Sequence, residues 1–180
     1  MSSRFENTGG TTEYEGKLVT VRSETFRHED GEEVTRVIVR HQGAVGVVAH
    51  DGERIYLVRQ PREAVGSPDL LELPAGKLDV EEEEPLDTAK RELAEEIGKA
   101  ARNWKHLTTF YASPGFSDEQ IHVYLATDLY DEQAHTDEVE RIEIVKVPLG
   151  EVDDVIRANR DSKTLIGLLW FRAFEGGAAS

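Results

Sequence analysis

The stretch from Leu71 to Gly98 reads LELPAGKLDVEEEEPLDTAKRELAEEIG. Its second half predicts a helix over Pro85–Ile97. Leu86, Ala89, Leu93 and Ile97 recur at spacings of three and four, which lines up one apolar stripe. Pro85 suits the first turn, and Gly98 suits the position just past the last one. Glu92, Glu95 and Glu96 stand at i, i+3 and i+4 and so share one helical face. Like charges so placed destabilise a helix by a few tenths of a kcal/mol per pair. They also sit near the C-terminal end, where the helix dipole disfavours anions. A sequence selected for stability alone would carry lysines there. Oxygen ligands for a hard divalent cation, Mg²⁺ or Mn²⁺, account for the choice. An isolated ExxEE is most often just a solvated acidic face, so the surrounding residues must decide.

Working outward, Leu70–Pro74 reads as a short strand leading into Gly76. Residues 1–15 are polar and expected to be loose. From Lys17 the chain alternates as a strand does, through Leu18, Val19, Val21, Thr25 and Phe26. It then turns at Glu29-Asp30-Gly31 and returns over Val34–Arg40, which predicts a hairpin. Gly43–Ala49 (GAVGVVA) is apolar on both faces, as a buried central strand is. Asp51-Gly52 turns the chain into a strand at Arg54–Arg59, and further strands are expected at Trp104–Tyr111, Ile121–Leu129 and Ile142–Val147. Leu149–Asn159 and Ser162–Phe174 close the chain as helices, the second capped by Asp161 or Ser162. This order predicts an α/β fold with a mixed sheet covered by helices rather than a strictly alternating parallel one.

The 180 residues suit one α/β domain with a small appendage. The absence of cysteine excludes disulfides and thiolate metal sites and fits a cytoplasmic setting. The start, MSSRFENTGG, lacks a basic region and an apolar core, and no apolar run approaches the ~20 residues of a membrane span. The formal charge of -15 repels nucleic acid. It would equally repel a small polyanion unless bound cations reversed the local field. Much of the acidity is gathered between Asp69 and Glu96.

The string resembles the Nudix box: a glycine, a spaced glutamate, then Arg-Glu-apolar-x-Glu-Glu-x-Gly. The matching residues are Gly76, Glu83, Arg91, Glu92, Leu93, Glu95, Glu96 and Gly98. Two positions depart from the pattern. Six residues separate Gly76 from Glu83 where the box has five, while the seven between Glu83 and Arg91 are kept. The extra residue is therefore expected in the loop, with Glu83 rather than Glu82 as the box glutamate. Lys99 replaces the usual apolar residue after Gly98. The resemblance implies a Nudix-type α/β/α sandwich over residues 43–180. It also implies an N-terminal β region over 1–42 that serves as a dimerisation element. Its metal ligands would be Glu92, Glu95, Glu96 and the Ala75 carbonyl, with Glu92, Glu96 and Arg91 also in catalytic roles and Glu83 orienting Arg91 from behind.

The box implies hydrolysis of a nucleoside diphosphate linked to another group, and the flanks point to that group. Ser113–Glu119 (SPGFSDE) places Pro114 sixteen residues beyond Gly98 and resembles the ADP-ribose pyrophosphatases. So do Arg59–Arg62 (RQPR), Tyr14–Lys17 and the segment around Lys163–Leu165. The resemblance implies Mg²⁺-dependent cleavage of ADP-ribose to AMP and ribose 5-phosphate by a homodimer. Another sugar nucleotide, GDP-mannose or ADP-glucose, is the nearest alternative, and a non-catalytic nucleotide sensor is a more distant one. Substrate contacts are expected from Arg40, Arg62, Lys77, Ser113, Pro114, Gly115 and Glu119. Arg62 would serve as the fork for the diphosphate. A glutamate in HTDEVE, residues 135–140, is expected as general base. Glu138 comes first for that role; Glu140 stands second and doubles as a further metal ligand. His50, His106, His122 and His135 lack ligand spacing and are read as structural.

Overall fold

Val45, Val47 and Ala49 lie in one buried cluster with Ala89, Leu93 and Ile97. The alternate residue Val48 lies on the other side, where a Cβ added at Gly167 would meet Val48, Leu73 and Val123. A strand buried on both faces needs apolar residues at every position, and GAVGVVA supplies them. In the computed structural model, which describes residues 4–133 and 142–175, this strand is β4 (Ala44–His50) of a seven-stranded sheet. The neighbouring strands are β5 (Arg54–Arg62), β8 (Lys99–Tyr111), β9 (Gln120–Asp131) and β10 (Glu143–Pro148), in the order β10-β5-β4-β9-β8. Two short strands, β6 (Ser67–Glu72) and β7 (Ala75–Lys77), pair with β5 and β4. The sheet is mixed: β4 runs parallel to β9 but antiparallel to β5 and β7.

Helix α1 (Pro85–Ile97) covers one face of this sheet, burying Thr88, Ala89, Leu93 and Ile97. Helix α3 (Ser162–Trp170) covers the other, after a short α2 (Val152–Ala158). The expected capping of α3 falls to Asp161, whose side chain accepts from the Thr164 N–H at 2.9 Å. Among the described residues no helix is long and apolar enough to cross a membrane.

The chain divides into two compact units. One comprises Ala44–Phe110 and Ile121–Ser180 and holds the sheet and helices just described. The other comprises Met1–Gly43 and Tyr111–Gln120. It is built on a three-stranded antiparallel sheet of β1 (Phe5–Glu15), β2 (Val19–His28) and β3 (Glu33–His41). Residues 116–118 add to its β3 edge. The Val39 N–H donates to the Phe116 carbonyl at 2.8 Å, and the Asp118 N–H to the Val39 carbonyl at 3.3 Å.

Several boundaries differ from expectation. Residues 5–15 are a strand rather than a loose tail, paired with β2 from Phe5–His28 to Glu15–Thr20. Every residue of β1 is exposed, so no apolar alternation marks it in the sequence. Strand β8 begins at Lys99, five residues before Trp104, and β5 runs on to Arg62. The segment after Pro148 starts with a tight turn at Leu149–Glu151 before α2. Beyond Trp170 the helix widens into a single π-type turn.

Candidate active site

The left-handed Gly98 (φ 64°) closes α1, and its N–H returns to the Ala94 carbonyl at 3.0 Å. With the apolar stripe fixed on the sheet, Glu92, Glu95 and Glu96 emerge on a half-buried flank. Strand β7 runs against them. A Cβ at Gly76 would lie 1.9 Å from Glu92 Cδ, so only glycine lets that carboxylate lie against the backbone. The Ala75 N–H donates to Glu96 Oε2 at 2.9 Å.

Arg91 ties this face together. Its Nη1 donates to Glu92 Oε1 at 2.8 Å and to Glu95 Oε2 at 2.9 Å. Its other edge, Nε and Nη2, donates to Glu83 at 3.3 and 3.1 Å. Glu83 also accepts from Thr88 Oγ1 at 2.8 Å. It is thus Glu83, not Glu82, that meets the arginine. Glu82, in the loop before it, takes a left-handed backbone (φ 64°). Burial works against the charge on Arg91, but Glu83 and Glu92 outweigh it and raise the arginine's pKa. The Arg91 guanidinium in turn holds the Glu83 carboxyl below the usual range.

Among the described residues, no three acidic or histidine side chains already converge as a metal-holding group. The donor set nevertheless fits a hard divalent cation. Three carboxylates share one flank, all donors are oxygen, and the Gly76 notch seats one of them against the backbone. Metal entry would draw Glu92 and Glu95 away from the Nη1 they share.

A second carboxylate cluster lies in the same unit and was not visible in the sequence. Glu72 is fully buried and accepts a bidentate pair from Arg62, Nε at 2.6 Å and Nη2 at 2.9 Å. Lys163 Nζ stands 3.3 Å from Glu72 and donates to Asp161 at 2.8 Å. Glu72 raises the pKa of Arg62 against the effect of burial, with a smaller contribution from Glu96. Thus the arginine expected to grip a diphosphate is already held on one edge. Lys77, by contrast, is an exposed residue of β7 opposite Ala44.

The remaining described candidates belong to the N-terminal unit. Arg40 pairs with the buried Glu24 at 2.7 Å and with Asp118 at 3.0 Å, and its guanidinium lowers the Glu24 pKa. Asp118 also accepts from the His41 N–H at 2.9 Å, and Glu119 lies 3.7 Å from His41 Nδ1. The Ser113 carbonyl accepts from the Phe116 and Ser117 N–H groups, which folds Pro114 and Gly115 into a turn. Beside that turn this unit carries a cavity of about 440 Å³ lined by Phe5, Phe26, Arg36, Ile38, Arg40 and Phe116, among others. Glu138, Glu140 and His135 lie outside the described residues. His106 and His122 share Thr109 Oγ1 as a hydrogen-bond partner, and His50 stacks near Phe171.

Residues 40–166 match the NUDIX domain family. The chain belongs to the Nudix family. It is 36% identical to the ADP-ribose pyrophosphatase of Bacillus subtilis (strain 168), over 90% of this chain and 89% of the relative. It is 43% identical to an ADP-ribose pyrophosphatase of Mycobacterium tuberculosis (strain ATCC 25618 / H37Rv), over 76% and 67%. A crystal structure of an ADP compounds hydrolase superposes with a TM-score of 0.81 at 25% identity, covering 94% of this chain and 92% of the other. The mixed sheet between helices is therefore the Nudix fold.

Proposed function

We propose that this Nudix protein is a Mg²⁺-dependent hydrolase of ADP-ribose that releases AMP and ribose 5-phosphate. The observation that carries the reading is the similarity, along most of the chain, to two proteins named ADP-ribose pyrophosphatase. The Ser113–Glu119 string supports it independently.

Glu92, Glu95, Glu96 and the Ala75 carbonyl would hold the metal, with Mn²⁺ as a substitute. A divalent cation held by these residues would supply charge neutralisation for the diphosphate and a lowered pKa for an attacking water. Arg91, anchored by Glu83, keeps Glu92 and Glu95 together until the cation enters. Arg62 binds a phosphate oxygen and stabilises the charge of the leaving phosphate. Glu138 is assigned the general base and Glu140 the alternative, because carboxylates engaged with a cation are poor bases. Arg40 and the aromatic cavity beside it suit the adenine or ribose. Pro114 and Gly115 shape the substrate turn, with Ser113, Glu119 and Lys77 as polar contacts. The working form is assigned as a cytoplasmic homodimer. Its dimerisation element would be residues 1–42, and its hydrolase domain 43–180.

The test is AMP release from ADP-ribose with Mg²⁺, compared with GDP-mannose and ADP-glucose. The expected kcat/KM is highest for ADP-ribose by at least about tenfold, a difference of ~1.4 kcal/mol in transition-state binding. Excess EDTA should abolish release. Preference for another sugar nucleotide would overturn the substrate, and activity surviving EDTA would overturn the metal.

A further inference from the structure

We propose that Lys163 is a positioning residue for the reaction, acting through Glu72 to set how Arg62 meets the diphosphate. The proposal rests on the reading of Arg62 as the phosphate clamp.

Glu72 is a buried carboxylate with two cationic partners. Arg62 takes both of its oxygens through Nε and Nη2. Nη1 takes no part in that pair, and the charges of Glu96 and Asp161 also act on the guanidinium. The arginine is thus held through one edge of its guanidinium by the buried carboxylate. A lone buried carboxylate would pull a lone arginine inward and hold it there, because its whole charge would need that one partner. Lys163 shares the load. Its ammonium stands 3.3 Å from Glu72 and 2.8 Å from Asp161, with a side chain only 18% exposed. Two carboxylates and two cations then balance within the cluster.

The lysine is itself fixed by the start of α3. Asp161 Oδ2 accepts from the Thr164 N–H and Oγ1 at 2.9 and 2.8 Å. Thr164 Oγ1 accepts from the Leu73 N–H at 2.8 Å, and Asn159 Nδ2 donates to the Leu71 carbonyl at 2.8 Å. The α2–α3 elbow thus grips Leu71 and Leu73, the neighbours of Glu72 on either side. The same short segment continues to Ala75 and Gly76, which touch Glu96 and Glu92. An elbow far along the chain is therefore placed to fix both the clamp and the edge of the carboxylate flank.

The experiment is a double-mutant cycle between Arg62→Ala and Lys163→Met, read as KM and kcat for ADP-ribose, with Lys163→Gln as a second probe. Lys163→Met alone should raise KM about tenfold with kcat within about threefold, the signature of lost binding rather than lost chemistry. In the Arg62→Ala background the same change should move KM by less than about twofold, because the lysine acts through the arginine. Lys163→Gln, which can still hydrogen-bond both carboxylates, should recover most of the KM. Additive effects on KM, or an unchanged KM in Lys163→Met, would overturn the proposal. So would failure of both lysine variants to fold, which would make Lys163 a stability residue. If the wild-type protein releases no AMP from ADP-ribose, or Arg62→Ala leaves KM unchanged, it is the underlying functional reading that has failed instead.

Discussion

The two carboxylate clusters of the larger unit solve opposite problems with the same chemical group. On α1, three glutamates stand on one half-buried flank; Glu92 and Glu95 share a single arginine nitrogen, and Glu96 accepts from the Ala75 N–H. Around Glu72, one fully buried glutamate receives an arginine fork and a lysine, in a network closed by Asp161 and Thr164. The first arrangement gathers oxygen donors on one flank, a set that suits a hard divalent cation. The second is balanced, two carboxylates against two cations around a buried glutamate. Under the proposed function, the first kind would suit a site that exchanges metal and product, and the second a supporting frame.

Charge-neutral substitutions separate the two most sharply. Glu92→Gln and Glu96→Gln should each lower kcat by roughly 10²–10³-fold, the scale of losing one charge-stabilising group in the transition state. Relief of like-charge repulsion should partly offset the lost contacts to Arg91 and the Ala75 N–H, so the thermal midpoint should change little. Glu72→Gln should instead lower stability, costing about 1–3 kcal/mol because a buried charge-assisted pair is lost. That figure lies below the usual cost of splitting a buried pair. Lys163 keeps Asp161, and Arg62 is exposed enough to turn to water. Calorimetry alongside initial rates reads both quantities. A marked drop in midpoint for Glu96→Gln would erase the distinction.

The first cluster was legible in the sequence and the second was not, for a physical reason. Carboxylates three and four apart on a helix must share a face, so spacing alone brings Glu92, Glu95 and Glu96 together. Keeping the interval to Arg91 likewise selected Glu83 over Glu82, and Glu83 is the residue in contact. Glu72 and Lys163 are 91 positions apart and meet only because the start of α3 packs against Leu73, just past the end of β6. No local pattern records such a meeting, and a glutamate in LELPAG looks like any polar residue in a strand. β1 was missed by the opposite route. Its pairing comes from backbone hydrogen bonds along an exposed strand, while sequence reading detects burial. Strand lengths were understated at Arg62 and Lys99 because charged residues continue a ladder whose side chains reach solvent.

Gly76 tests how far the exchangeable cluster depends on backbone shape. In Gly76→Ala the new Cβ would overlap Glu92 Cδ, and the carboxylate at the end of a flexible chain would be what yields. The protein should therefore fold, with a stability change below about 1–3 kcal/mol. Its apparent affinity for Mg²⁺ should weaken about 10–100-fold, as when the support of a ligand is lost. Activity titrated against Mg²⁺ measures this. Full recovery of kcat at high Mg²⁺ would confine the defect to cation binding, and an unchanged titration would detach Gly76 from the site.

The smallest expected effect concerns Glu83, which sits between the two kinds of cluster: partly buried, paired to Arg91, yet on the exchangeable side. Its pKa in the folded protein is lowered, first by the hydrogen bond from Arg91. A depressed carboxyl stabilises the fold above its ordinary value of 4.5 and loses that contribution as pH falls through the folded value. The thermal midpoint of the metal-free protein should accordingly drop on acidification below about pH 4.5, with Glu83 one contributor. In Glu83→Gln the midpoint at pH 7 should be lower and the fall in acid shallower, so that the two curves approach each other toward pH 3. Parallel curves across that range would show that the Glu83–Arg91 pair adds nothing to folding. Its only remaining effect would then be on how Arg91 meets Glu92 and Glu95.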